Sequence, residues 1–156
     1  MNKNVESKRI MAIDPGSKRI GIAISDLSGT IARPLTVIEH RSRKSDAQEI
    51  IKSATENQVV MIVIGVSFDE EEIPTPTGRS AIRLANEIKE QSDLPITIWD
   101  EYHTTRDAIQ IKITNGANRK SKKGHQDGIA AMILLQDFIE HYKRIGDIKN
   151  IENHWL

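Results

Sequence analysis

Arg9-Ile10-Met11-Ala12-Ile13-Asp14-Pro15-Gly16-Ser17-Lys18-Arg19-Ile20-Gly21-Ile22-Ala23-Ile24-Ser25-Asp26 is the stretch on which the reading of the fold turns. Arg9 to Ile13 is short and apolar and ends at a turn signal, which predicts a strand. Asp14-Pro15-Gly16-Ser17 supplies the turn, because proline presets φ and glycine tolerates conformations closed to other residues. Ile20 to Ser25 follows at once as a second strand. Two strands joined by so few residues have to run antiparallel, so the stretch predicts a hairpin with Asp14 just beyond its first strand.

Downstream, Pro34 to Glu39 suits a third strand. Asp46 to Glu56 places Ala47, Ile50, Ile51 and Ala54 on one helical face. Val59 to Gly65 is an unbroken, β-branched apolar run, as expected of a strand buried on both faces and parallel to a neighbour. Ser67 to Thr77, with Asp69, Glu70, Glu71 and Glu72, has the composition of a loop, read as solvated and pointing away from any site. Arg79 to Gln91 is a predicted helix, Pro95 to Trp99 a strand, and Thr104 to Thr114 a helix closed by Asn115-Gly116. Asp127 to Tyr142 forms the last helix, its first half apolar almost all round and therefore expected to be buried. The order β-β-β-α-β-α-β-α-α predicts an α/β fold: one mixed sheet flanked by helices, in a single domain over residues 1–156 with its core at about 9–142.

The 156 residues contain no cysteine, which excludes disulfides and thiolate metal sites. No apolar stretch approaches the roughly 20 residues of a membrane span. The first residues lack a secretory pattern, so a soluble cytoplasmic protein with no membrane partner is expected. With 22 basic and 22 acidic residues the chain is not a diffuse polyanion binder. A nucleic-acid contact would need a local cluster, and Arg119-Lys120-Ser121-Lys122-Lys123 is one.

Three carboxylates stand at predicted element ends: Asp14 after the first strand, Glu101 after the strand ending at Trp99, and Asp127 at the start of the final helix. Ligands collect at strand ends in α/β sheets. A helix N-terminus favours an ionised carboxylate. Each residue also has a plain structural use: Asp14 in a turn, Asp100-Glu101 in a solvated loop or as a helix cap, Asp127 as an N-cap.

The stretch Ala12 to Asp26 closely resembles the opening motif of the YqgF/RuvX family, Holliday-junction-resolvase-like proteins described as pre-16S ribosomal RNA nucleases. Ile64-Gly65-Val66, Trp99-Asp100-Glu101 with Thr104-Thr105, and Asp127 with Ala130-Ala131-Met132-Ile133-Leu134 match in order, so the resemblance runs from about Arg9 to Tyr142. Tyr102-His103 stand where the family usually has arginine and leucine, and Phe68 to Glu72 replace its polar loop. The resemblance implies an RNase H-like fold whose catalytic and metal-binding triad is Asp14, Glu101 and Asp127. It implies Mg²⁺ or Mn²⁺, as a pair of ions, and phosphodiester hydrolysis of structured RNA or branched DNA, with ribosomal precursor particles as partners. Lys18, Arg19, Lys122 and Lys123 are the expected substrate contacts; His103 and His125 are auxiliary candidates for proton relay or ligation. The competing expectations are an RNase H-like module that binds nucleic acid without cutting, and a fragment of an actin-like phosphotransferase, whose first phosphate hairpin Asp14-Pro15-Gly16-Ser17 also resembles.

Overall fold

The computed structural model describes residues 6–101 and 123–145, the last helix being described as backbone alone at 123–127 and 142–145. The elements run β1 (Arg9–Pro15), β2 (Arg19–Ser25), β3 (Ala32–Glu39), α1 (Arg43–Glu56), β4 (Val59–Val66), α2 (Pro76–Gln91), β5 (Ile96–Asp100) and α3 (Lys123–Ile145). The strands form one five-stranded sheet in the order β3-β2-β1-β4-β5. β1 and β2 pair antiparallel, as the hairpin reading requires, and β2 pairs antiparallel with β3. β4 lies parallel to both β1 and β5, its unbroken apolar run fitted to a strand covered on both faces. The predicted helix 104–114 with its cap lies outside the described residues.

Alternation along the strands divides the core in two. Met11, Ile13, Ile22, Ile24, Ile62 and Ile64 pack on one face under Ala47, Ile50, Ala54, Ala81, Leu84 and Ile88 of α1 and α2. Ile10, Ala12, Ala23, Met61 and Val63 face the other way, under Ala131, Leu134, Leu135, Phe138 and Ile139 of α3. Asp14 continues the Ile10–Ala12 series and Gly65 the Met61–Val63 series, so both belong to the α3 face.

Several boundaries differ from expectation. β1 runs on through Asp14, which pairs with Gly21 rather than standing in a turn beyond the strand. Cross-strand hydrogen bonding there outweighs the turn preference of Asp-Pro-Gly, and the reversal moves to residues 16–19, where the Gly16 N–H donates to Arg19 O at 2.8 Å. α1 starts at Arg43 because Ser42 caps it, its hydroxyl accepting from the Ser45 N–H at 3.2 Å. α2 starts at Pro76, with Thr75 as the cap and proline at the first helical position. α3 starts at Lys123, so Asp127 is in its second turn and not at its N-cap. Nor is its first half buried all round: Ala131, Leu134 and Leu135 are covered while Ile129, Met132 and Ile133 are only half-buried.

Local polar contacts hold the ends. Asp26 closes the β2–β3 turn, its carboxylate accepting from the Thr30 N–H at 2.7 Å, the Ile31 N–H at 3.1 Å and the Ser28 hydroxyl at 2.6 Å. Those hydrogen bonds, that from Ser28 foremost, hold its carboxyl far below the usual carboxylate range. The buried Asp46 pairs with His40 and accepts from the Arg41 N–H at 3.1 Å, while the His40 N–H donates to Lys18 O at 2.9 Å. The β3–α1 corner is thus tied to the β1–β2 hairpin. Among the described residues no helix is long and apolar enough to cross a membrane.

Candidate active site

The parallel strands β1, β4 and β5 end side by side, and the site lies at those ends. Ile13 is level with Ile64 across β1 and β4, and Gly65 with Trp99 across β4 and β5. Asp14 on β1 therefore stands beside Gly65, with Glu101 one residue beyond the end of β5. Glycine flanks Asp14 on both neighbouring strands, Gly21 in β2 and Gly65 in β4, so neither presents a side chain beside it.

Glu101 folds back over this gap and hydrogen-bonds to Asp14. Its carboxyl is pushed up to about 9, first by burial, then by the hydrogen bond to Asp14 and by the negative charges of Asp14 and Asp100. Around neutral pH the pair therefore shares one proton in place of two full charges.

β5 is clasped to α3 just before Glu101. The Trp99 indole N–H donates to Asp137 Oδ2 at 2.9 Å, and its ring meets Phe138 edge-on at 5.4 Å and His141 at 4.9 Å. The same helix brings Leu134 over Gly65: a Cβ built on Gly65 would overlap Leu134 Cδ1 and stand 2.6 Å from Glu101 Oε1.

Of the residues singled out from sequence, Asp14 and Glu101 meet. Asp100, which was not singled out, adds charge beside them. Lys18 is exposed in the hairpin that Asp14 leads into, and Arg19 opens β2. The side chains of Asp127, Lys123 and His125, and all of His103 and Lys122, lie outside the described residues, as do Arg119 and Lys120. The acidic stretch Asp69–Glu72 is exposed and closed on itself: Asp69 Oδ1 accepts from the Glu71 N–H at 2.9 Å and the Ile73 N–H at 3.0 Å, and Glu72 takes φ 62°.

Among the described residues no group of three metal-ligating side chains is assembled. The Asp14–Glu101 pair nevertheless fits a hard divalent cation. Its donors are carboxylate oxygens, the ligands such ions select. The proton shared by the pair relieves the same charge crowding that a cation would relieve.

The fold is that of RNase H-like resolvases. It resembles Thermus thermophilus RuvC in complex with a Holliday junction substrate, with TM-score 0.59 and 13% identity over 89% of this chain and 96% of that one. It also resembles the fowlpox virus Holliday junction resolvase, with TM-score 0.51 and 16% identity over 85% and 99%. The sequence narrows this further: residues 8–141 match RuvX, described as Holliday junction resolvase, and the chain belongs to that family. A relative from Thermoanaerobacter pseudethanolicus, named "Putative pre-16S rRNA nuclease", is 38% identical over 86% of this chain and 98% of its own length. One of the same name from Rickettsia bellii is 31% identical over 87% and 88%.

Proposed function

We propose that this protein is a metal-dependent endonuclease that cuts structured nucleic acid, with precursor 16S ribosomal RNA as the substrate its relatives' name points to. The observation that carries the reading is the Asp14–Glu101 pair: two carboxylates brought into hydrogen-bond contact where three parallel strands end.

In this reading Asp14 and Glu101 hold Mg²⁺ or Mn²⁺, as one or two ions, and Asp127 of α3 completes the ligand set. When bound, the metal supplies a more acidic water and neutralises charge on the scissile phosphate. A cation there would be held by the ionised carboxylates of Asp14 and Glu101, and would compete with the proton that the pair shares. Gly21 and Gly65 present no side chain of their own beside Asp14, which leaves room for Glu101. Lys18 and Arg19 in the hairpin, with Lys122 and Lys123, contact the phosphate backbone, and His103 and His125 are placed in sequence to assist proton transfer. Phosphate contacts of this kind set register and affinity rather than sequence choice.

The test is cleavage of a precursor 16S rRNA fragment and of a branched DNA by the purified protein with Mg²⁺ or Mn²⁺, against the same reactions in EDTA and with the Asp14→Asn variant. Metal-dependent cleavage lost in the variant is expected. Binding without cleavage in either metal would make the protein a non-catalytic nucleic-acid module instead.

A further inference from the structure

The α3 face of β4 carries Met61, Val63 and then Gly65, two large side chains followed by none. Glycine inside a strand weakens it, so a close approach is the usual reason to find one there. Here the approach is by Glu101. A Cβ on Gly65 would stand 2.6 Å from Glu101 Oε1 and 3.0 Å from Glu101 Cγ, and would also overlap Leu134 Cδ1. The Glu101 side chain thus occupies the volume that a residue at position 65 would fill, with the bare backbone of β4 as its floor and the buried Leu134 as its wall.

We propose that Gly65 and Leu134 are positioning residues, forming a seat that holds the Glu101 carboxyl inward against Asp14. A side chain at position 65 displaces that carboxyl from its place over the strand beside Asp14. The proposal rests on the metal-site reading above only where cation affinity is concerned; the seat itself is a property of the metal-free protein.

The experiment uses Gly65→Ala, Leu134→Ala and the double variant. Gly65→Ala alone meets both neighbours and is expected to lose stability. The double variant removes the overlap with Leu134 and shares with Leu134→Ala the loss of that buried side chain, yet leaves the methyl 2.6 Å from the former place of Glu101 Oε1. Mn²⁺ affinity by titration calorimetry should therefore stay about tenfold or more weaker in the double variant than in Leu134→Ala, the loss typical when the groups that orient a metal ligand are disturbed. In the metal-free protein, nuclear Overhauser contacts from the Glu101 Hγ protons to the Gly65 Hα protons and the Leu134 methyls should be present in the wild type. Equal Mn²⁺ affinity in the double variant and Leu134→Ala, or absence of those contacts in the wild type, would overturn the seat. Contacts present in a wild type that binds no Mn²⁺ would uphold the seat and defeat the metal reading.

Discussion

Replacing Glu101 by glutamine should alter how the metal-free protein responds to pH, and the sign follows from the Asp14–Glu101 pair. Glu101 holds its proton up to about pH 9 in the folded protein, against an ordinary value of 4.5. Between those values the folded state binds a proton that the unfolded chain has released. The contribution to stability is therefore fully present below about pH 4.5, declines as pH rises, and is lost through about pH 9. The slope of one such proton is at most about 1.4 kcal/mol per pH unit. For a chain of this size roughly 2–4 °C of Tm accompanies each kcal/mol, so the group alone should cost about 3–5 °C per pH unit. Glu101→Gln keeps the shape and a hydrogen bond to Asp14 but carries no titrating charge. Melting curves in EDTA at pH 6, 7 and 8 should fall less steeply for Glu101→Gln, and the variant should be the more stable protein at pH 8. Adding Mn²⁺ should reverse that order, because occupancy at a hundred times Kd adds about 2.7 kcal/mol to a protein that binds it. Parallel pH dependences for the two proteins in EDTA would refute the argument, since every other titrating group is common to both.

Asp14→Asn should leave the fold intact and reduce cleavage about a hundredfold or more, the scale of losing one strong electrostatic contact to the transition state; wild-type rates would remove Asp14 from the site. Lys122→Ala with Lys123→Ala should flatten the dependence of log affinity on log salt by up to about two, with similar losses across substrate sequences. An unchanged slope would place the substrate elsewhere. Trp99→Phe should cost about 1–3 kcal/mol in urea unfolding, because it leaves Asp137 Oδ2 without the indole donor at 2.9 Å. Wild-type stability in that variant would show that the Trp99–Asp137 clasp contributes nothing.

What could be read in the sequence was what nearby residues decide. The β1–β2 hairpin follows from two apolar runs and one turn signal, and the burial of β4 from its unbroken run. Two helix starts are also written locally: Ser42 ahead of α1, and Thr75-Pro76 ahead of α2, the latter masked by the loop composition of Ser67 to Thr77. The extension of β1 through Asp14 was not legible, because it depends on pairing with Gly21, and pairing outranks the turn preference of Asp-Pro-Gly. Asp14 and Glu101 could be nominated because each stands at an element end, yet that alone does not make them neighbours. They meet because β4 is inserted between β1 and β5 in parallel, which brings the ends of three strands separated along the chain to one edge. Gly65 shows the limit most clearly. Read alone, it looked like the natural end of a β-branched run, whereas the strand continues through Val66 and the glycine is where Glu101 crosses it. A glycine breaking such a run near a strand end is itself a signal that something approaches the backbone there. Which group approaches was settled by residues some 36 and 69 positions further along the chain, Glu101 and Leu134, and no local pattern around Gly65 encodes them.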